Sequence, residues 1–546
     1  ADQLNAHLFG QPVKVDLQGQ QLGIGYQSDI QVAGDWSLDQ VVSDYYAPLQ
    51  STAAGQGQFN ADLSLVTLSA GGFEYQLDLD GDLSAAQLSL PEPFINSPIT
   101  AFTAQASGNQ QASVIKVSTD NQVFFDGVLP HKELKFSRAH LAIGGESVGN
   151  LGVGFSIAAD VPIVDVNQWS TLINGLVAQS DTQQHSIIGV PERLFISAEQ
   201  MLVGGQNLEN ATVQARLKDN DWSIDVVSKQ AQAALFIDSD WYERGITVDA
   251  EFMRLKLSDY AGSEANQVTQ LPPIRLRCEQ CQIGRFDLGN VALDGTPSEN
   301  GYTFEQVVFN NGNGLLRATG EWRSGPQDFT RFEGEVTSSD FGQLLKSAGF
   351  DSGIKDSEAE ISFELSWADA PWKPEPEFLD GNIDWELTDG YITELSDKGS
   401  RIFTLFSLNS LVRKLSLDFR DVFAQGFFYD DIAGSIQIAN GKADTQDTIV
   451  DGGAGEITIN GYSDLVSNQL NYQVSFTPNV TGNLPILMYF MVNPPTALAA
   501  LALDQMLTSA KVISNVNYSV TGTFDEPIVN ELGRDSTEVS LPARVA

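Results

Sequence analysis

The chain has 546 residues, 42% of them hydrophobic, with 71 acidic side chains against 30 basic ones and a formal charge of −41. That apolar fraction excludes a disordered chain. The charge argues against nucleic acid as a partner and against electrostatic docking on anionic lipid, because both present phosphates that demand a basic face.

A first helical signal runs near 36–49, where Asp35 stands as an N-cap before Trp36, Leu38, Val41, Val42, Tyr45, Tyr46 and Leu49 at helical spacing. Period-two alternation follows: Phe59, Ala61, Leu63 and Leu65, then Phe73, Tyr75, Leu77 and Leu79 with Glu74, Gln76 and Asp78 between them. Strict alternation marks a half-buried strand, apolar on one side and wet on the other. Asp80-Gly81-Asp82 reads as a hairpin turn. It also resembles a calcium loop, but Leu83 and Ser89 stand where that loop needs Gly and Glu, so no dedicated calcium site follows.

Gly145-Glu146-Ser147-Val148-Gly149 matches the GxSxG pattern. A nucleophile elbow needs a helix after the serine, and here a strand pattern follows in Leu151, Val153, Phe155 and Ile157. A second helical signal covers 165–178, opening on Asp165 and carrying Trp169, Leu172, Ile173, Leu176 and Val177.

Both cysteines lie in Cys278-Glu279-Gln280-Cys281, between segments 274–277 and 283–286 that read as the strands of a hairpin. Zinc would need two further ligands, and the four histidines are scattered, so a local disulfide in an oxidising compartment is the expectation. Asn311-Gly312-Asn313-Gly314 signals a turn, and a third helical signal covers 339–349.

Alternation returns in Ile361, Phe363, Leu365 and Trp367, then in Ile383, Trp385 and Leu387, with Ala370-Pro371-Trp372-Lys373-Pro374-Glu375-Pro376 reading as an extended spacer between them. Asn440-Gly441-Lys442 signals another turn, and Tyr472, Val474 and Phe476 form a late strand. The pattern then breaks. Leu484, Ile486, Leu487, Met488, Tyr489, Phe490 and Met491 belong to a nine-residue apolar run, and Asn493-Pro494-Pro495 caps a helix holding Leu498, Leu501 and Leu503. Neither piece has the length to span a bilayer, so segment 484–511 reads either as a plug or as a membrane contact or gate.

The connections are too short for parallel crossovers, which makes the fold mainly β, a long and mostly antiparallel sheet with a few short helices crossing or capping it. No Pro/Ser-rich linker or low-complexity tract divides the chain. A body at 1–375 followed by a C-terminal module at 376–546 is expected, together forming one elongated whole. No catalytic motif survives its context: there is no HExxH, phosphate-cradling GxxxxGK or GxGxxG, and acidic residues are too abundant to single out a pair. No cofactor or metal is expected.

Leu379-Asp380-Gly381-Asn382-Ile383, Asp389-Gly390-Tyr391-Ile392, Leu405 to Leu408, Arg413 to Phe423, Gly426 to Asp430, and Val520 to Pro527 carry a family resemblance. Leu90 to Phe94, the Trp169 helix and Gly320-Glu321-Trp322 agree with it. The chain resembles the C-terminal portion of the YhdP proteins of the AsmA-like family, whose relatives include TamB. The resemblance implies a strongly twisted sheet curled into an open hydrophobic groove, of the kind found in bridge-like lipid-transfer proteins. It implies a periplasmic protein of a Gram-negative bacterium, anchored in the inner membrane by an N-terminal helix that this chain, beginning at Ala1 without a signal peptide, does not contain.

Non-enzymatic phospholipid transport from inner to outer membrane is the function it implies, with acyl chains as partners in the groove and an outer-membrane contact at the C-terminal end. The groove residues expected are Leu63, Leu65, Phe73, Tyr75, Leu77, Leu79, Val153, Phe155, Ile157, Phe363, Leu365, Ile383, Trp385, Val474 and Phe476. Three other readings stay open: an assembly factor for outer-membrane proteins that uses the sheet edge, a closed structural sandwich, and a polysaccharide-active enzyme.

Overall fold

A computed structural model describes residues 4–8, 10–45, 52–120, 123–145, 152–180, 187–256, 271–323, 328–348, 353–392, 427–479, 509–524 and 526–540. Thirty strands and four α-helices lie among them. Neighbours in sequence pair with each other, almost always antiparallel, and no pairing among the described strands joins last to first. The chain forms two compact units. The first comprises Ala1–Ser239 with Thr247–Tyr260, and the second comprises Asp240–Ile246 with Ala261–Ala546.

Among the described pairings, the first unit departs from the antiparallel rule at one place. Strands Arg138–Ile143, Gly154–Asp165 and Pro191–Val203 run parallel in succession. Helix α2 (Val166–Ser180), following α1 (Leu38–Tyr45), makes the second of these connections. The expectation that connections are too short for any crossover is therefore corrected, because the second helical signal supplies the dozen or more residues that a parallel return requires.

Asp165 caps α2 by accepting from the Gln168 backbone N–H at 3.0 Å, while the Gln168 amide returns a bond to the same carboxylate at 2.9 Å. Trp169 fixes the helix against the chain: its indole N–H donates to the Glu92 carbonyl at 2.8 Å, and its ring meets Phe94 edge-on. By contrast, α1 interrupts an antiparallel pair, Gly25–Ser37 with Ala53–Leu68, and caps one end of it. It starts later than its sequence signal. Trp36 and Ser37 finish the preceding strand, where Trp36 packs on Phe59 with ring centroids 4.0 Å apart, and Tyr46 and Leu49 lie outside the described residues.

Two turn readings are corrected. Asp80-Gly81-Asp82 lies inside the strand Phe73–Asp82, and a Cβ at Gly81 would fall 2.1 Å from the Phe102 ring, so this glycine makes room for an aromatic neighbour. The Cys278–Cys281 segment is a bulge within the strand Ile274–Ile283, and the hairpin turns later, at Gly284-Arg285, into Phe286–Ser298. Cys278 and Cys281 are disulfide-bonded at 2.09 Å, and both are buried.

In the second unit α3 (Trp241–Arg244) is a single turn, and α4 (Phe341–Ser347) follows the N-cap Asp340, which accepts from Gln343 N–H at 3.0 Å. Phe341 and Leu345 of α4 enter the largest buried cluster among the described residues. The stretch expected to be a spacer packs instead. Ala370 is buried beside Tyr302 and Trp322, Trp372 meets Trp322 edge-on at 5.1 Å, and the Trp367 indole donates to the Ala370 carbonyl.

Candidate functional site

Residues directly opposite one another on paired strands share a face of the sheet. In the first unit the register threads one such row through Val15, Val32, Ala61, Leu79, Ala104, Val117 and Phe125. It continues through Leu141, Ile157, Leu194, Ala215, Ile224 and Leu235. Every member is apolar. All but Ala215 are half-buried, whereas the central residues of a closed sandwich are fully covered.

Moving one residue along each strand reaches the other face. There the row reads Asp16, Gln31, Asp62, Asp78, Gln105, Lys116, Asp126, His140, Ser156, Arg193, Arg216 and Ser223. Its members tie the strands laterally: Gln31 donates to Asp62 at 2.8 Å, Gln105 to Asp78 at 2.9 Å, and His140 Nδ1 lies 2.9 Å from Ser156 Oγ. On the same face, hydrogen bonds from Gln27 and Ser64 hold the Asp29 carboxyl below its ordinary pKa, and it stays charged. The unit thus has one apolar face and one polar face, the latter largely open to water but with His140 and Ser156 buried within it.

The expected groove residues fall into this frame as follows. Leu63 and Leu77 are register partners one row over from Leu79, continuing to Ala106 and Ile115. Leu65 opposes Tyr75, and Phe73 opposes Thr67, nearer the strand ends. Tyr75 adds a polar margin: its hydroxyl lies 2.5 Å from Ser113 Oγ, which lies 2.7 Å from His131 Nε2. Phe155 and Ile157 join the apolar rows, but Val153 precedes the strand Gly154–Asp165 and is 71% exposed. The face closes near the helices: Val13 and Phe59 are buried at the α1 end, and Val161, Ala198 and Ala211 are buried with Val166 of α2 packed on them.

The second unit carries its own apolar rows. One runs through Cys278, Val291, Phe309, Leu316, Val336, Ile361 and Trp385, and its neighbour brings Phe363 to Ile383. Leu365 opposes Phe332 one row further on. These expected groove residues are half-buried. Toward the C-terminus the same face becomes a closed core: Ala359, Leu387, Ile432, Val450, Ile457, Phe476 and Val516 form a register row in which no residue is more than 3% exposed. Val474 joins that core between Ile459 and Tyr518 and is 1% exposed. Burial also raises the Tyr472 phenol and pushes Tyr429 up to about 12, so both phenols remain neutral at physiological pH.

Leu484, Ile486, Leu487, Met488, Tyr489, Phe490, Met491, Leu498, Leu501 and Leu503 lie outside the described residues. Among the described residues no helix is long and apolar enough to cross a membrane, and no group of His, Cys, Asp and Glu is placed to hold a metal. Val117, Phe125, Leu141, Leu194 and Ile224 complete the apolar row without having stood out in the sequence. Their strands hide the alternation, since Phe124 precedes Phe125 and Val114-Ile115 places two apolar residues side by side, so strand register was the signal needed to find them.

The family model described as YhdP protein matches residues 1–529. The intermembrane phospholipid transporter YhdP of Escherichia coli (strain K12) is 25% identical over 557 residues, covering 98% of this chain and 43% of that protein. The chain thus spans less than half the length of the curated relative it matches. No solved structure matches.

Proposed function

Since this chain belongs to the YhdP protein family, we propose that it carries phospholipid between the inner and outer membranes of a Gram-negative envelope, with acyl chains lying on the apolar faces of its sheet. The reading is non-enzymatic. The observation that supports it best is the uninterrupted apolar row from Val15 to Leu235, half-buried except at Ala215 and backed by a row of polar and charged side chains.

Exposing two acyl tails of about sixteen carbons to water costs on the order of 25 kcal/mol, at about 0.8 kcal/mol per CH₂. A run of aliphatic side chains lowers that barrier without making a tight stopping point, because apolar contact is non-directional. The half-buried Tyr75 and His131 at the margin of the apolar face, held by the buried Ser113 hydroxyl between them, provide hydrogen-bonding partners for head groups. The closed C-terminal core is a structural terminus in this reading, and transport belongs to the half-buried rows. Segment 484–511 is assigned to the contact with a membrane or to gating the lane, in a periplasmic protein held at the inner membrane by an anchor in its full-length form.

The experiment is solvent extraction of the purified chain followed by mass spectrometry. Phospholipid should be recovered from the unaltered chain, and Leu63→Arg with Leu77→Arg should remove it. Lipid recovered equally from both, or from neither, contradicts the reading.

A further inference from the structure

At the end of the strands opposite the start of α1, three loops of the first unit meet. Phe136 N–H donates to the Ile187 carbonyl at 3.0 Å, Gly154 N–H donates to the Ser137 carbonyl at 3.1 Å, and the Arg193 guanidinium holds the Val153 carbonyl at 2.7 Å. Among the described residues of these loops, several aliphatic side chains are exposed: Leu134 is 59% exposed, Val153 71%, Ile187 47% and Val190 68%. Turn positions of this kind ordinarily take polar residues or glycine. Leu134 is the least expected of them, since it sits at φ 50°, in the left-handed region that glycine adopts freely and leucine adopts at a cost.

Charge singles out the same place. Over the whole chain acids outnumber bases by more than two to one, whereas residues 131–138 hold Lys132, Lys135 and Arg138 against one acid, Glu133, and beside them Arg193 offsets Glu192, whose carboxylate lies against Gly154. Gly189 of the neighbouring loop lies against the Lys135 side chain, which brings a cation beside the aliphatic tips. Exposed aliphatics beside Lys132 and Lys135, in an otherwise strongly anionic protein, combine the two terms that drive interfacial binding, namely apolar insertion below the head groups and attraction to their negative charge.

We propose that the loops at 131–137, 152–154 and 187–190 form a bilayer-contact site that inserts Leu134, Val153, Ile187 and Val190 among the head groups of an anionic lipid surface. The net charge of −41 repels such a surface from the rest of the molecule, so the local cations orient the approach toward this end. The proposal does not depend on the apolar face carrying lipid.

The test is co-sedimentation of the intact chain with sucrose-loaded vesicles of phosphatidylcholine and phosphatidylglycerol at 3:1, compared with phosphatidylcholine alone. The unaltered chain should pellet with the mixed vesicles, and Leu134→Gly with Val190→Ser should lower the bound fraction at least tenfold. Lys132→Gln with Lys135→Gln should lower binding to the mixed vesicles alone. Leu134→Gly relieves the backbone and should leave the urea midpoint unchanged or higher, so lost binding does not report lost folding. Leu63→Arg with Leu77→Arg should still pellet, and the Leu134→Gly, Val190→Ser chain should still yield extracted lipid, which separates this site from the lane. An unaltered chain that stays in the supernatant with both vesicle types, or a loop variant that binds as the unaltered chain does, overturns the proposal.

Discussion

Leu63 and Leu77 face each other across two antiparallel strands, both half-buried, with Asp62 and Asp78 opposed one step along on the other side of the sheet. Two leucines and two aspartates thus divide one strand pair into an apolar and a wet surface. Arginine at both leucine positions should cut lipid recovery by at least tenfold while circular dichroism keeps its strand signal, since half-covered sites let a long side chain turn its charge to water.

Burial separates the two ends of the chain energetically. Leu387 is fully buried in the C-terminal core. Leu387→Ala should cost about 2–5 kcal/mol, and Leu63→Ala, half-buried, about 1 kcal/mol. Urea unfolding followed by tryptophan fluorescence should show the larger fall in midpoint for the first; equal falls would mean that both faces are closed.

His140 gives the first unit a pH dependence. It is 6% exposed, burial lowers its pKa below the ordinary 6.5, and Nε2 has no hydrogen-bond partner among the described residues. The unfolded chain therefore binds a proton that the folded chain refuses. Stability is complete above pH 6.5 and falls as the pH drops from there to the folded-state pKa, with a slope of at most about 1.4 kcal/mol per pH unit. His140→Phe should flatten that slope in urea titrations between pH 7 and pH 5; an unchanged slope would assign it elsewhere.

The disulfide closes a ring of only four residues, so loop-closure entropy limits its contribution to about 2 kcal/mol. Cys278→Ala with Cys281→Ala should lower the stability of the second unit by about that amount. Lipid recovery should persist, because the row through Cys278 also holds Val291, Phe309 and Leu316.

Much of this arrangement was legible in the chain, for a definite reason. Period-two alternation reports one-sided burial directly, so Leu63, Leu77, Phe363 and Ile383 could be assigned to an apolar face before any pairing was known. Register could not be read that way, because it depends on which strands meet: Phe125 stands on the apolar row while adjacent Phe124 does not. The Asp80-Gly81-Asp82 reading failed because a neighbour's bulk, the Phe102 ring, decides what Gly81 does. The parallel return through α2 depends on where a helix packs, which Trp169 and Glu92 settle across 77 positions of sequence. Coverage is equally non-local: Val474 and Leu79 alternate alike, yet the first is sealed in a core and the second is half-open.

The most direct measurement places a photo-crosslinking benzoylphenylalanine at Leu79 and, separately, at Asp78, adjacent positions on opposite faces of the strand Phe73–Asp82. After irradiation in the envelope, phospholipid adducts should appear at position 79 and be absent at 78. Equal labelling at both positions, or none at 79, would contradict a lipid-carrying apolar face.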